Sequence, residues 1–455
     1  MSHEQPKHSN RAVLLWCWLI YVAAYIGRYN LSAVIGAMSD AGVMPRGSAG
    51  VLTSIFFFSY MIFQSVSAVA LRGVDPALAI GIVTIASAIV NAAMPLAARD
   101  SFIAACVLWG AHGIAQSAVW PCVVRILTER LPRERIPRAM VLLNTSGSAG
   151  TAITYLAIAL GMRVYSWQAA FYIPAVLLII AATAWIARVY RPRGSSEQSA
   201  FSSIQAEDPR PVETAASSIQ TKDPLPVETA ASSIQTEDPL PAETAAHTSL
   251  LHLLSAGVLM MLFLAAVNGF LRDGVTIWLP TYIQDTFRVP ASTAILLSIL
   301  IPIAKTVGPF AAYRLLKLFK SHALASAVGI AVTLASLCSA ALLGAASLPL
   351  SLACLSVCAV MVVALNTEIV CLYPLVYQQY GMTAQASSII NSFVYVGSIA
   401  ASAAFGFLSE AKGWQAVMIL LCALTAMALM VSFAMRWWER ARERRAAAAP
   451  AQASV

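Results

Sequence analysis

The sequence predicts an all-α membrane protein of twelve transmembrane helices arranged as two six-helix halves. Three observations carry this expectation. Hydrophobic residues make up 59% of the 455-residue chain and charged residues only 11%, with a mean hydropathy of +0.73, well beyond what a soluble core of this size requires. Long runs carry no charge at all: Ala77 to Ala98, and Ala323 to Thr367, the latter interrupted near its middle by residues 344–349. Runs of this kind supply the roughly 20 residues that a helix needs to cross the hydrocarbon layer. A polar, proline-bearing stretch then divides two sets of six such runs.

The six runs of the first half fall at 13–38, 50–71, 77–97, 102–126, 139–162 and 168–190, and those of the second at 250–273, 291–316, 323–344, 348–377, 383–408 and 414–437. Orientation follows from Lys and Arg, which accumulate in cytoplasmic loops. The loop after the fourth span reads RILTERLPRERIPR; Arg188, Arg191 and Arg193 follow the sixth, Arg314, Lys317 and Lys320 follow the eighth, and RWWERARERR ends the twelfth. With alternating spans these lie on one side, so both termini are expected in the cytoplasm of a cell (inner) membrane protein. The net charge of +8 is therefore a topology signal, and no nucleic-acid partner is expected. The N-terminal apolar run reaches membrane length, which reads as an uncleaved first span in preference to a signal peptide.

Domain organisation follows: residues 1–193 form the first half, 194–248 a linker, 249–438 the second half and 439–455 a cytoplasmic tail. The linker holds three copies of a 15-residue unit beginning at Ser202, Ser217 and Ser232, each with two prolines and acidic or small polar residues. Such a composition buries too little apolar surface to offset ordering, and a disordered tether is expected. The eight cysteines are scattered through apolar spans without a CxxC, as small buried hydrophobes. The chain carries no nucleotide or metal motif, so no cofactor and no pump mechanism is expected, and nothing marks the selectivity filter of a channel.

Chemistry enters with two arginines inside apolar spans, Arg28 in YVAAYIGRYNLSAVIGAM and Arg272 in FLRDGVTIWLPTYI. A cation at bilayer depth costs several kcal/mol, and retaining one points to a substrate, ion or partner charge. The two are 244 positions apart (272 − 28), and Trp120-Pro121 and Tyr373-Pro374 are 253 apart (373 − 120). Matching punctuation in two six-span halves is the mark of repeat-built secondary transporters, which bind substrate near mid-membrane between repeats. Tyr21, Tyr25 and Arg28 fall at i, i+4 and i+7 on one helical face, and Gln116 and Trp120 share a face by the same rule. A guanidinium suits phosphate or carboxylate because its planar fork donates two parallel hydrogen bonds. The competing readings are helix packing for the aromatic residues and, for the arginines, a structural ion pair such as Arg272 with Asp273.

At these residues the chain resembles the major facilitator superfamily and, within it, the organophosphate:phosphate antiporter family. The first-span pattern YxxxYxxRxN is met by Tyr21, Tyr25, Arg28 and Asn30. The seventh-span LRxGxxxWxPTY is met by Leu271, Arg272, Gly274, Trp278, Pro280, Thr281 and Tyr282, and the fourth-span GxxQxxxWPxxxR by Gly113, Gln116, Trp120, Pro121 and Arg125. In the eleventh span, Tyr395, Gly397, Gly406 and the Gly413-Trp414 pair are similar to the family's tyrosine, glycines and GW. The resemblance implies the major facilitator fold and alternating-access transport.

Departures from the family pattern are as informative. The lysine that the resemblance implies in span two is Tyr60, and the span-five histidine is Ser146. The lysine after the first arginine is Tyr29, and the aspartate before the span-seven tryptophan is Ile277. Joint loss of a charge pair reads as replacement of a gate. In addition the chain has Lys305 and Glu368 within spans of the second half. Two readings stand for them: a structural pair with each other, or a direct part in binding or proton coupling.

These observations predict a secondary transporter, acting as a monomer, of a small anionic substrate held by Arg28 and Arg272 from the two halves. Tyr21, Tyr25, Gln116, Trp120, Tyr395 and Lys305 are expected to line the site, with Glu368 and Asp273 in coupling or gating. Proton-coupled transport of a carboxylate, with protons as co-substrate, and a transporter-like membrane sensor are the alternative readings.

Overall fold

The computed structural model describes residues 7–71, 73–132, 135–190, 256–380 and 383–448. The predicted linker, with its three repeats, lies outside them. Among the described residues every regular element is helical. Eleven segments are long and apolar enough to cross a membrane. A further 26-residue helix, Ile136–Gly161, occupies the predicted fifth span; its less apolar composition comes from Asn144, Thr145, Ser146 and Ser148.

The first six spans are formed by α1 (Lys7–Arg28) with α2 (Asn30–Asp40), α3 (Arg46–Ala70), α4 (Pro76–Asp100), α5 (Phe102–Ser117) with α6 (Val119–Arg130), α7 (Ile136–Gly161) and α8 (Ala169–Arg188). The remainder are α9 (Ala256–Phe287), the short α10 (Ala291–Leu297) and α11 (Leu300–Lys305) leading into α12 (Gly308–Phe319), α13 (His322–Leu343), α14 (Leu348–Thr367), α15 (Thr383–Lys412) and α16 (Trp414–Ala448). Local signals set several boundaries. Asp75 accepts from the amides of Ala77 and Leu78 ahead of α4, with Pro76 at the first helical position, where its missing N–H costs nothing. Ser101 and Ser321 cap α5 and α13 in the same way.

One predicted boundary is corrected. The seventh span was expected to end at 273, but α9 runs on to Phe287 through Pro280. The Arg-Asp pair therefore does not mark a helix end; Arg272 sits sixteen residues after Ala256 (272 − 256) and fifteen before Phe287 (287 − 272). Beyond Pro280, Asp285 takes a two-pronged ion pair from Arg46 at 2.9 and 3.0 Å, and Gln284 donates to Asp40, anchors that hydropathy does not register.

The chain divides into two compact units, one of residues 1–219 with 277–303 and the other of 220–276 with 304–455. In the first, α1 packs on α7, α3 on α5, and α4 on α8; in the second, α13 packs on α14 and α16, and α12 on α14. Close helix crossings built on glycine occur in both units, and one in each stands in the same relation to its arginine. A Cβ at Gly150 of α7 would stand 2.7 Å from the Val22 carbonyl oxygen, and one at Gly397 of α15 would stand 1.8 Å from that of Ala266. Those carbonyls precede Arg28 and Arg272 by six residues each (28 − 22 and 272 − 266). The internal repeat is thus a packing repeat: small residues let backbones approach, and the arginine follows at the same offset.

Candidate functional site

In the first unit the site is built around a helix break. Tyr29 interrupts α1 and α2, with φ −100° and ψ 4°. The carbonyls flanking the break find side-chain donors: Ser32 Oγ to Tyr29 O at 2.5 Å, and His112 Nε2 to Gly27 O at 2.8 Å. A carbonyl only accepts, so the proton of His112 is on Nε2. Asn30, fully buried, donates to Asn91 Oδ1 and Ala170 O at 2.7 and 2.8 Å, which fixes the backbone immediately after Arg28.

Arg28 then projects into an amide and aromatic cage. Its Nη2 donates to Gln116 Oε1 at 3.3 Å, and Gln116 in turn donates to Ser87. The guanidinium carbon lies 4.8 Å from the Tyr25 ring centre, 4.6 Å from Tyr60 and 5.9 Å from Phe56, within reach of cation–π attraction. Tyr21 packs edge-on against Tyr25 and meets Trp120 at 5.3 Å. The predicted Tyr21, Tyr25, Arg28, Gln116 and Trp120 are therefore brought together. Gln116 and Trp120 do not share one continuous helix as expected, because the helix breaks at Ala118 between them.

The departures from the family pattern are explained by the same geometry. Tyr60 stands where the resemblance implies a second cation and presents its ring face to Arg28. Ser146 is fully buried and donates back to Leu143 O. Tyr29 and Ile277, the positions of the lost charge pair, line one small pocket with Arg28, Ser32, Thr53 and Phe56. Where the resemblance implies a charge pair, this pocket has an aromatic and an aliphatic side chain.

The second unit presents a different constellation. Arg272 donates through Nε and Nη2 to the two oxygens of Asp273, at 3.1 and 2.8 Å, and through Nη1 to Asn366 Oδ1 at 3.0 Å. Asp273 is buried and also accepts from Ser398 Oγ at 2.6 Å. That serine follows the Gly397 crossing directly, and Tyr395 stands one turn earlier on the same helix, half-buried. Lys305 donates to Thr276 Oγ1 and, at 3.5 Å, to the Arg272 carbonyl. Arg272 and Lys305 contribute two positive charges against the one negative charge of Asp273, leaving the cluster with a single net positive charge. An amide oxygen holds the arginine in each unit, Gln116 in one and Asn366 in the other, and sequence reading missed the second.

One of the alternative readings is formed here and one is corrected. The structural ion-pair reading of Arg272 with Asp273 holds geometrically, so Arg272 is not an isolated cation. The pairing of Lys305 with Glu368 is not formed among the described residues. Glu368 Oε1 instead lies 2.8 Å from His322 Nδ1, and Oε2 accepts from Ser326 Oγ. The reason is length: Glu368 follows all twenty residues of α14, which places it beside the first turn of α13, while Lys305 faces the middle of α9. His322 and His112 were both passed over, because a histidine at a span edge or within an apolar run gives no periodic signal.

The sequence profile of the Major Facilitator Superfamily matches residues 17–401. The chain is 26% identical over 174 residues to the membrane sensor protein UhpC of Escherichia coli (strain K12), a match covering 38% of this chain and 39% of that protein. The membrane sensor protein UhpC of Salmonella typhimurium matches at 25% over 173 residues, with the same shares of each chain. Of solved structures, a bacterial homolog of the human lysosomal transporter Spinster, inward-facing and unoccupied, aligns with a TM-score of 0.72 at 15% identity, covering 95% of this chain and 98% of that one. The D-xylose-proton symporter aligns at 0.66 and 13% identity, covering 93% and 96%. Identities this low establish the shared fold alone.

Proposed function

Because the chain belongs to the Major Facilitator Superfamily, we propose that it is a secondary transporter moving a small organic anion through a multi-pass helical bundle by alternating access. Phosphate or an organophosphate is the first choice of substrate. The observation that carries this reading is the pair of cationic sites at matched repeat positions: Arg28 in its cage of Tyr25, Tyr60 and Gln116, and the Arg272–Asp273–Lys305 cluster with its net positive charge. Charges held inside spans are costly to retain, and substrate binding offsets that cost. The membrane is taken to be the cell inner membrane, with both termini cytoplasmic by the basic-loop argument.

The test is a thermal-shift screen of purified protein against sugar phosphates, glycerol phosphates, inorganic phosphate and small carboxylates, followed by counterflow with any hit. A ligand that binds the folded state raises the melting temperature by mass action. Stabilisation by none of these anions sinks the reading. The aromatic face where the family pattern has a lysine is the argument for the alternative, proton-coupled transport of a carboxylate, and the screen separates the two.

A second reading rests on a different observation: both UhpC proteins, the curated relatives reported above, are membrane sensor proteins. In that case the same sites bind ligand without net transport, and the output is contact with a partner. Ligand stabilisation without counterflow in proteoliposomes favours the sensor.

A further inference from the structure

We propose that His322 and Glu368 form a proton-binding relay, with Glu368 the buried acceptor and His322 its contact with water. The inference deepens the transport reading and depends on it only for the uptake measurement described below.

Glu368 is 3% exposed, inside a segment apolar enough to span a membrane. A buried carboxylate there is costly unless paired or neutralised. Its partners are an imidazole nitrogen at 2.8 Å on one oxygen and the Ser326 hydroxyl on the other. The His322 side chain is 24% exposed against 4% for that of Glu368, so the imidazole bridges an accessible edge and a buried acid. Helical geometry also changes at this point: α14 ends at Thr367, and residues Glu368–Leu372 form a π-helix followed by a 3-10 stretch. Short π-helical turns are frequent at functional positions.

Several groups face the pair. From α16, Glu439 accepts from Ser321 at 3.4 Å and from Arg436 at 3.3 Å, and it also interacts electrostatically with His322. From the 3-10 stretch, Tyr373 packs edge-on against the His322 ring at 5.7 Å, and Tyr377 packs on Tyr373. Lys317 and Lys320 precede α13 on the chain and form no ion pair with Glu368 among the described residues. Lys305 is engaged by Thr276. No lysine or arginine salt bridge to Glu368 occurs among the described residues, and the ion-pair partner it has is the His322 imidazole.

The transfer balances in one proton. From a neutral imidazole carrying its proton on Nδ1 beside an ionised carboxylate, hydronium gives a proton to Nε2 of His322 and leaves as water, the Nδ1 proton passes to Oε1 of Glu368, and the product is a neutral imidazole beside a neutral carboxylic acid that still accepts from Ser326. Reversal returns one proton to water at Nε2.

The experiment uses full-length protein in proteoliposomes, as wild type, His322→Gln, Glu368→Gln and Glu368→Asp. Infrared titration detects the carbonyl stretch of a protonated carboxyl without any substrate. The expected result is a pH-dependent carboxyl band in wild type, absent in Glu368→Gln and displaced in its midpoint in His322→Gln and Glu368→Asp. With inorganic phosphate and glycerol phosphate as transport probes, uptake driven by a pH gradient should fall about a hundredfold in His322→Gln and Glu368→Gln, the lower range for a positioned proton-transfer group, while counterflow stays close to wild type. A wild-type band that survives in Glu368→Gln overturns the proposal, as does pH-driven uptake intact in both variants, or counterflow lost together with it. If wild type transports neither probe, these two substrates are excluded while the infrared result still decides the relay.

Discussion

Arg272 donates through both Nε and Nη2 to the carboxylate of the next residue, Asp273, at 3.1 and 2.8 Å. A two-pronged pair of this kind neutralises the arginine it holds. The net positive charge of the second-unit cluster then comes from Lys305, which donates to Thr276 and to the Arg272 carbonyl. Removing that charge as Lys305→Met should weaken anion binding about tenfold or more, ~1.4 kcal/mol, whereas Lys305→Arg should retain most of it. Ligand-dependent thermal shift on the two variants checks this.

Asp273 is the acceptor for Arg272 and for Ser398, and it is 1% exposed. Asp273→Asn leaves two cations without their counter-charge, and removing one partner of a buried pair costs on the order of 3 kcal/mol. The variant should melt well below wild type. Ser398→Ala removes one hydrogen bond to a charged acceptor and should cost about 1.5–3 kcal/mol. A detergent melting series that ranks Ser398→Ala above Asp273→Asn in stability agrees with this geometry; the reverse order contradicts it.

Arg28→Lys keeps the charge and removes the fork that reaches Gln116 while stacking on Tyr25 and Tyr60. A lysine ammonium cannot make the planar two-pronged contact, so transport should fall by a factor consistent with loss of a charge-assisted bond, about 1.5–3 kcal/mol. Expression and insertion should be unchanged. Uptake at the wild-type rate in a correctly inserted Arg28→Lys variant removes Arg28 from the site.

Much of this was legible in the sequence, for reasons that locate the exceptions. Apolar runs report spans because the bilayer demands length, and Arg28 and Arg272 stand out because charge within them is expensive. Hydropathy cannot see past a local charge pair, so the span holding Arg272 and Asp273 seemed to stop there when α9 continues to Phe287. Partner identity was the other gap. A carboxylate in an apolar run shows that a partner is needed but not which, and Lys305 was a second-half cation with no carboxylate beside it in the sequence. The true neighbour, His322, sits at the first residue of α13, where it reads as an ordinary boundary residue. The Arg28 aromatic cage was half visible: Tyr25 by helical spacing, but Tyr60 only as a missing lysine.

The crossing of α9 and α15 carries a sharper expectation. A Cβ at Gly269 would meet the Val394 carbonyl oxygen at 1.8 Å, and one at Gly397 would meet that of Ala266 at the same distance. Backbone cannot yield as a flexible side chain does, so Gly269→Ala and Gly397→Ala should each cost about 1–3 kcal/mol or more through overpacking. At Gly147 the nearest atoms belong to the end of the Tyr25 ring, which can rotate, so Gly147→Ala should be milder in stability. It should nevertheless perturb binding through Tyr25. Melting temperature and ligand shift measured side by side distinguish the two effects.

The separation of Lys305 from Glu368 yields a final expectation. If the two were partners, neutralising both would be milder than neutralising either, since the second change would remove the orphaned charge left by the first. The geometry gives each its own environment, Lys305 with Thr276 and the Arg272 carbonyl, Glu368 with His322 and Ser326. The stability effects of Lys305→Met and Glu368→Gln should therefore add to within about 0.5 kcal/mol, as for residues without shared partners. The cycle between His322→Gln and Glu368→Gln should not add, because the second change acts on a contact that the first has already broken. Resistance to thermal unfolding across wild type, the three single variants and the two double variants measures both cycles. Strong coupling between Lys305 and Glu368 with none between His322 and Glu368 would restore the pairing that charge and composition alone suggested.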